Sequence, residues 1–80
     1  MGVTEDLADA LARDVLAAVD KLGDDTLIEE VAKSLGTSST VTQEAFMTSI
    51  RVRMAEARAR KLLKDRLQGA LAGRQTAGTQ

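Results

Sequence analysis

Apolar residues recur at three- and four-residue spacings in three stretches of the chain, which short polar segments separate. This periodicity is typical of amphipathic helices, and it predicts helices over residues 5–22, 27–35 and 41–71. The pattern therefore indicates an all-α fold, a small three-helix domain with two shorter helices packed on a long C-terminal helix. We expect residues 1–72 to form this single domain and residues 73–80, small and polar without periodicity, to be a disordered tail.

Capping residues and glycines predict where these helices begin and end. A hydroxyl residue can cap a helix start, and a Glu or Gln three positions later completes a capping box. Glycine after the last periodic residue is a left-handed stop. The predicted boundary residues are Thr4, Gly23, Thr26, Glu29, Gly36, Thr40 and Gln43.

One apolar face is predicted on each of the two shorter helices. On the first helix this face consists of Leu7, Leu11, Val15, Ala18, Val19 and Leu22, with Leu16 off the face. On the second helix it consists of Ile28, Val31, Ala32 and Leu35. A helix as short as the second is marginal by itself and needs tertiary contacts.

The long third helix carries two apolar stripes on roughly opposite sides. The first stripe, the predicted seat of the two shorter helices, consists of Phe46, Met47, Ile50, Met54 and Ala57. The second stripe consists of Ala45, Val52, Ala59, Leu63 and Ala70. Because the shorter helices can cover only one side, the second stripe is the candidate protein interface, for a homo-oligomer or a protein partner.

The composition argues against catalysis and against a cofactor. The 80 residues include one aromatic residue, Phe46, and no His or Cys. The commonest general base and the common transition-metal ligands are therefore missing. Acids cluster at the start of the second helix, but without the spacing of a calcium loop, and they suit the helix dipole there. We therefore predict no enzyme activity, no metal and no cofactor.

Charge is divided unevenly along the chain. Residues 1–36 carry a net charge of −6 and residues 41–71 a net charge of +4. Either the acidic half packs beside the basic half, in the same chain or in a second copy, or the basic half is a nucleic-acid footprint. We favour the first interpretation because the whole chain has a net charge of −1.

Residues 30–38, EVAKSLGTS, resemble the first helix and turn of bacterial helix-turn-helix DNA-binding domains. In that family an Ala-x-x-x-Gly pattern, here Ala32 to Gly36, sets close helix packing and a tight turn. The resemblance implies DNA contacts from the next helix, for which Gln43, Arg51 and Arg58 are the candidates. The chain departs from the family at Thr42, where an apolar residue is usual.

No stretch has the pattern of a signal peptide or an apolar run long enough to span a membrane. We therefore expect a cytoplasmic location and no membrane partner. The function that these features favour is a non-enzymatic helical interaction module. The alternative is a small helix-turn-helix-like DNA-binding regulator.

Overall fold

The computed structural model describes the backbone of residues 2–78 and the side chains of residues 2–73. Within that part of the chain it contains three helices and no strand: α1 (Val3–Leu22), α2 (Thr26–Ser38) and α3 (Thr40–Gly78). Both shorter helices pack on α3, and α1 also contacts α2. The predicted all-α, three-helix class is confirmed.

The structure confirms the predicted end of α1 but not its predicted start. Gly23 adopts the left-handed conformation (φ 68°), and its N–H donates to the carbonyl of Val19, as the stop signal predicts. The helix begins at Val3 rather than after Thr4. The carbonyl of Gly2 accepts the N–H of Asp6, so the first turn closes without a side-chain cap.

The polar stretch between α2 and α3 is shorter than predicted, because α2 continues through Gly36 to Ser38. Ser39 is the single connecting residue. Its N–H donates to the carbonyl of Leu35, while its Oγ accepts the N–H of Thr42 at 3.1 Å. Ser39 therefore closes α2 and caps α3, and the capping role predicted for Thr40 was wrong by one residue.

The core is small and lies between α1, α2 and the front of α3. Its buried residues are Ala8, Ala12, Val15, Ala32, Phe46 and Ile50. The predicted face of α2 is confirmed, since Ile28, Val31 and Leu35 pack against this core. Phe46 is the largest fully buried side chain.

The buried face of α1 differs from the prediction. Leu7 and Leu22 are 64% and 70% exposed, whereas Ala8 and Ala12 are 1% and 0% exposed. Leu16, predicted off the face, packs against the core. The face is rotated because alanines let α1 approach α3 closely, and a pattern weighted toward large residues misses such positions.

An ion pair joins α1 to α3 where the core ends. The Arg53 guanidinium donates from Nε and Nη2 to the two carboxylate oxygens of Asp9, both at 2.8 Å. This bidentate geometry is the strong form of such a pair. The hydrogen bond from Arg53 lowers the pKa of Asp9 below its ordinary value and raises the pKa of Arg53.

We expect this pair to make the folded state more sensitive to acid. A carboxylate with a lowered pKa stabilises the fold above its ordinary pKa, here 3.8, and that contribution is lost as pH falls through the lowered value. Arg53→Met should therefore reduce stability near neutral pH and flatten its decline below about pH 4. Urea unfolding at several pH values measures both effects.

Arg58→Met is the matched control, because Arg58 is exposed and no ion pair within the described residues involves it. This variant should keep the acid sensitivity of the unmodified chain. Equal acid profiles for the Arg53 variant and the unmodified chain would contradict the role of the pair.

The shape of the molecule follows from the length of α3. The helix extends seven residues past the end predicted at Leu71, and the principal extents are 64 × 30 × 13 Å. The radius of gyration is 18.2 Å, against about 12 Å expected for a compact domain of this length. The predicted tail, residues 73–80, lies partly in α3 and partly, at residues 79–80, outside the described residues.

Candidate interaction surface

The rear of α3 lies beyond the reach of the other helices. Every residue from Met54 to Gly73 is exposed, and we call residues 54–73 the arm and residues 2–53 the body. The first stripe is buried at Phe46 and Ile50, but Met54 is already 38% exposed and Ala57 is exposed. The seat of the two shorter helices therefore ends near Arg53.

The second predicted stripe is exposed from Val52, at the end of the body, along the arm. We call Val52, Ala59, Leu63 and Ala70 the outer stripe; Val52 is 61% and Leu63 66% exposed, and both alanines are exposed. The structure places Ala45 apart from them, because it is half-buried and packs against the core.

Leucines beside the outer stripe enlarge its apolar surface. Leu62, Leu67 and Leu71 are 62%, 58% and 47% exposed. At 100° per residue, Leu67 lies on one flank of the outer stripe and Leu62 on the other. Sequence reasoning left them out because they lie off its centre line, although the four-residue spacing from Leu63 to Leu67 and Leu71 was a signal.

A shallow open groove extends the line of the outer stripe onto the body. Its lining combines the first three turns of α3 with one residue from the start of α1, and it consists of Glu5, Val41, Glu44, Ala45, Thr48 and Ser49. Val41 is 68% exposed. The groove therefore offers a small apolar floor between two acids.

The arm is basic and the body is acidic. Residues 54–73 carry a net charge of +3 and residues 2–53 a net charge of −5. Two of the arm cations form ion pairs within α3, Arg60 with Glu56 and Lys61 with Asp65. The other arm cations, Arg58, Lys64 and Arg66, form no ion pair among the described residues.

The segment that resembles a helix-turn-helix is built differently from the expectation. Gly36 lies inside α2, where a Cβ would meet the Gln43 Nε2 at 2.7 Å. The Gln43 side chain crosses this gap and donates to the carbonyl of Ala32 at 3.0 Å. The glycine therefore admits the side chain of Gln43 between α2 and α3.

This arrangement leaves two of the three candidate DNA contacts exposed and the third half-buried. Gln43 is half-buried, and its amide is bound to α2. Arg51 and Arg58 are both exposed, and their spacing of seven puts them on the same side of α3. The structure therefore brings the two arginines together on one surface and keeps Gln43 away from it.

One of the acids at the start of α2, Asp24, is bonded to the first residue of the helix. The Asp24 carboxylate accepts the hydroxyl of Thr26 at 2.6 Å and its N–H at 3.1 Å, and these bonds lower the pKa of Asp24. Among the residues whose side chains are described, no three acids, His or Cys are grouped so that they could hold a metal ion.

No helix in the described part of the chain combines the length and the apolar character needed to cross a membrane.

Comparison with models of protein families, with curated proteins and with solved structures finds no match to this chain.

Proposed function

We propose that this protein is a non-enzymatic helical interaction module, which binds a protein partner or a second copy of itself through the outer stripe. The observation that carries the proposal is the exposure of Leu62, Leu63 and Leu67 on the arm, each between 58% and 66%. Single exposed leucines are ordinary, but several along one side of one helix are typical of a binding surface.

The lack of tertiary contacts along the arm supports the same proposal. An isolated helix owes little to tertiary packing and is marginal in water, and the arm has twenty consecutive exposed residues. A partner helix on the outer stripe would give it the tertiary contacts that the body does not supply. The small side chains of Ala59 and Ala70 would let that helix approach closely.

The non-enzymatic part of the proposal rests on the chemistry of the side chains. The chain has no His or Cys, and a Ser nucleophile needs a positioned base. The hydroxyl of the half-buried Ser39, for example, is hydrogen-bonded to Thr42 at the start of α3. Its role is therefore structural.

The second candidate is the helix-turn-helix-like DNA-binding regulator. It is favoured by the exposed cations on the arm and by the shared side of Arg51 and Arg58. The occupied amide of Gln43 weighs against base readout at the start of α3, and the −5 body would repel DNA phosphates. We therefore rank it second.

Site-specific photocrosslinking tests the proposed module. A photoreactive residue at Leu63 should crosslink to protein in producing cells, because Leu63 lies on the outer stripe. The same residue at Lys61, on the other side of the arm, should crosslink much less. Ala59→Glu should abolish the Leu63 product by placing a charge in the contact.

Equal crosslinking at the two positions, or none at either, would contradict the proposal. A parallel mobility shift on duplex DNA discriminates the second candidate, since phosphate contacts weaken steeply with added salt. A tight, salt-dependent complex that Arg58→Ala disrupts would move the DNA-binding regulator to first place.

A further inference from the structure

We infer that the groove on the body receives the arm of a second copy of this chain, with the two α3 helices antiparallel about a two-fold axis at Val52. The inference rests on the proposed interaction function and names its partner. In this arrangement residues 54–64 of each arm lie against residues 40–50 of the other copy, which supply the α3 side of the groove.

Three large exposed apolar residues place the axis. Val41, Val52 and Leu63 are 68%, 61% and 66% exposed, and each follows the one before by eleven residues. Eleven residues are about 20° more than three full turns of an α-helix, so the three side chains lie at equal intervals along one side of α3. An axis at the middle residue places Val52 against its own copy and Val41 against Leu63.

The same axis pairs two small residues. Ala45 comes seven residues before Val52 and Ala59 seven residues after it, so the two alanines are level in the antiparallel pair. Ala45 lines the groove, and Ala59 is exposed on the arm. Because the distance between packed helices depends on the side chains at the contact, this pair lets the arm enter the groove closely.

The groove carries one acid on each side of this contact. Glu44 borders it from α3 and Glu5 borders it from α1, and both are exposed. Glu5 lies one turn before Asp9 on the same face of α1. Since Asp9 is bonded to Arg53, Glu5 is on the Arg53 side of α3, which at 100° per residue is opposite to the Glu44 side.

Two cations of the arm match these acids. Arg58 follows Glu44 by fourteen residues and Arg60 follows Arg53 by seven, so each lies on the corresponding flank of α3. In an antiparallel two-fold pair equal flanks face each other. Arg58 therefore comes near Glu44 of the second copy, and Arg60 comes near Glu5 of the second copy.

Charge also selects the direction and the extent of the contact. Residues 54–64 carry a net charge of +3, and Glu44 is the one charged residue among residues 40–50. A parallel pair would place the two basic segments against each other, whereas the antiparallel pair places each against an acidic groove. Residues 65–73, which have no net charge, extend past the start of α3 of the second copy, so the contact ends near Leu63 and leaves out Ala70.

Sedimentation equilibrium on the full chain is the first test, and it should report a dimer. Arg58→Glu should raise the dissociation constant at least about tenfold, because it places like charges together at both symmetric contacts. Lys61→Glu, the same change on the opposite side of the arm, should alter it far less. Circular dichroism confirms that the variants keep their helical content.

A charge exchange tests the pairing itself. Adding Glu44→Arg to the Arg58→Glu chain restores opposite charges at both contacts, so it should recover most of the lost affinity. Glu44→Arg alone should weaken the dimer as Arg58→Glu does. A double variant no tighter than the single ones would show that these two residues do not meet.

Disulfide trapping reads the direction and register, and the chain has no cysteine of its own to interfere. Val52→Cys should trap a dimer with itself, and a mixture of Val41→Cys with Leu63→Cys should trap a mixed dimer. Leu63→Cys alone should not trap itself, since its two copies would be about 33 Å apart along the helices.

Efficient trapping of Leu63→Cys alone would overturn the antiparallel direction, and a dimer that Val52→Cys fails to trap would overturn the register. A chain that stays monomeric at high concentration would overturn self-association. If that monomer still crosslinks to a different protein through Leu63, only the identity of the partner is wrong. If it also fails to crosslink, the proposed function fails with it.

Discussion

Phe46→Ala should destabilise the protein by about 3–5 kcal/mol, the usual cost of removing a buried aromatic side chain. Phe46 is 0% exposed and is the largest fully buried side chain. The other buried residues are four small ones and Ile50, so no neighbour can fill the space. A loss of this size approaches the whole stability of a small domain, and thermal melting followed by circular dichroism should show a large fall in Tm.

Leu7→Ala is the matched control, because it also removes a large apolar side chain. Leu7 is 64% exposed, so its loss should change stability by no more than about 0.5 kcal/mol. A large effect at Leu7 with a small one at Phe46 would show that α1 packs with the face its leucines predict.

Ala12→Leu should destabilise the protein by about 1–3 kcal/mol, the usual cost of overpacking a filled site. Ala12 is 0% exposed on the side of α1 that faces the core. A longer side chain has no room there, so α1 must move away from α3. Chemical denaturation of the two proteins gives the difference in unfolding free energy.

Ala17→Leu, at an exposed position of the same helix, makes the same chemical change without the crowding. Since Leu is nearly as good a helix former as Ala, this control should be close to neutral. Two equal effects would mean that Ala12 is not a point of close approach.

Local signals were sufficient for much of the fold. The three helices, the left-handed stop at Gly23 and the burial of Phe46 and Ile50 each follow from spacing within a few residues. Such signals act within one or two turns of the chain, so they can be recognised without knowing the tertiary packing. The face of α2 was predicted correctly for the same reason.

The contacts between helices were not predictable in this way. The rotation of α1 onto Ala8 and Ala12 depends on how closely two backbones approach, which no hydrophobic pattern encodes. The Asp9–Arg53 pair joins residues 44 positions apart. Gly36 looked like a stop signal, yet its role is to admit Gln43, a neighbour known only from the packing.

The outer stripe was predictable from the sequence only in part. Its exposure follows from a helix longer than its two neighbours can cover, and the sequence indicates that mismatch. Sequence spacing therefore located the surface, but how far the two shorter helices cover α3, to about Arg53, required the structure.

The extended shape of the molecule changes how its mass must be measured. A particle with principal extents of 64 × 30 × 13 Å experiences more friction in solution than a sphere of equal mass. A single copy would therefore leave a gel-filtration column early, at the volume of a larger globular standard. Elution volume alone would therefore overstate the mass, so stoichiometry has to come from light scattering or sedimentation equilibrium, which report mass independently of shape.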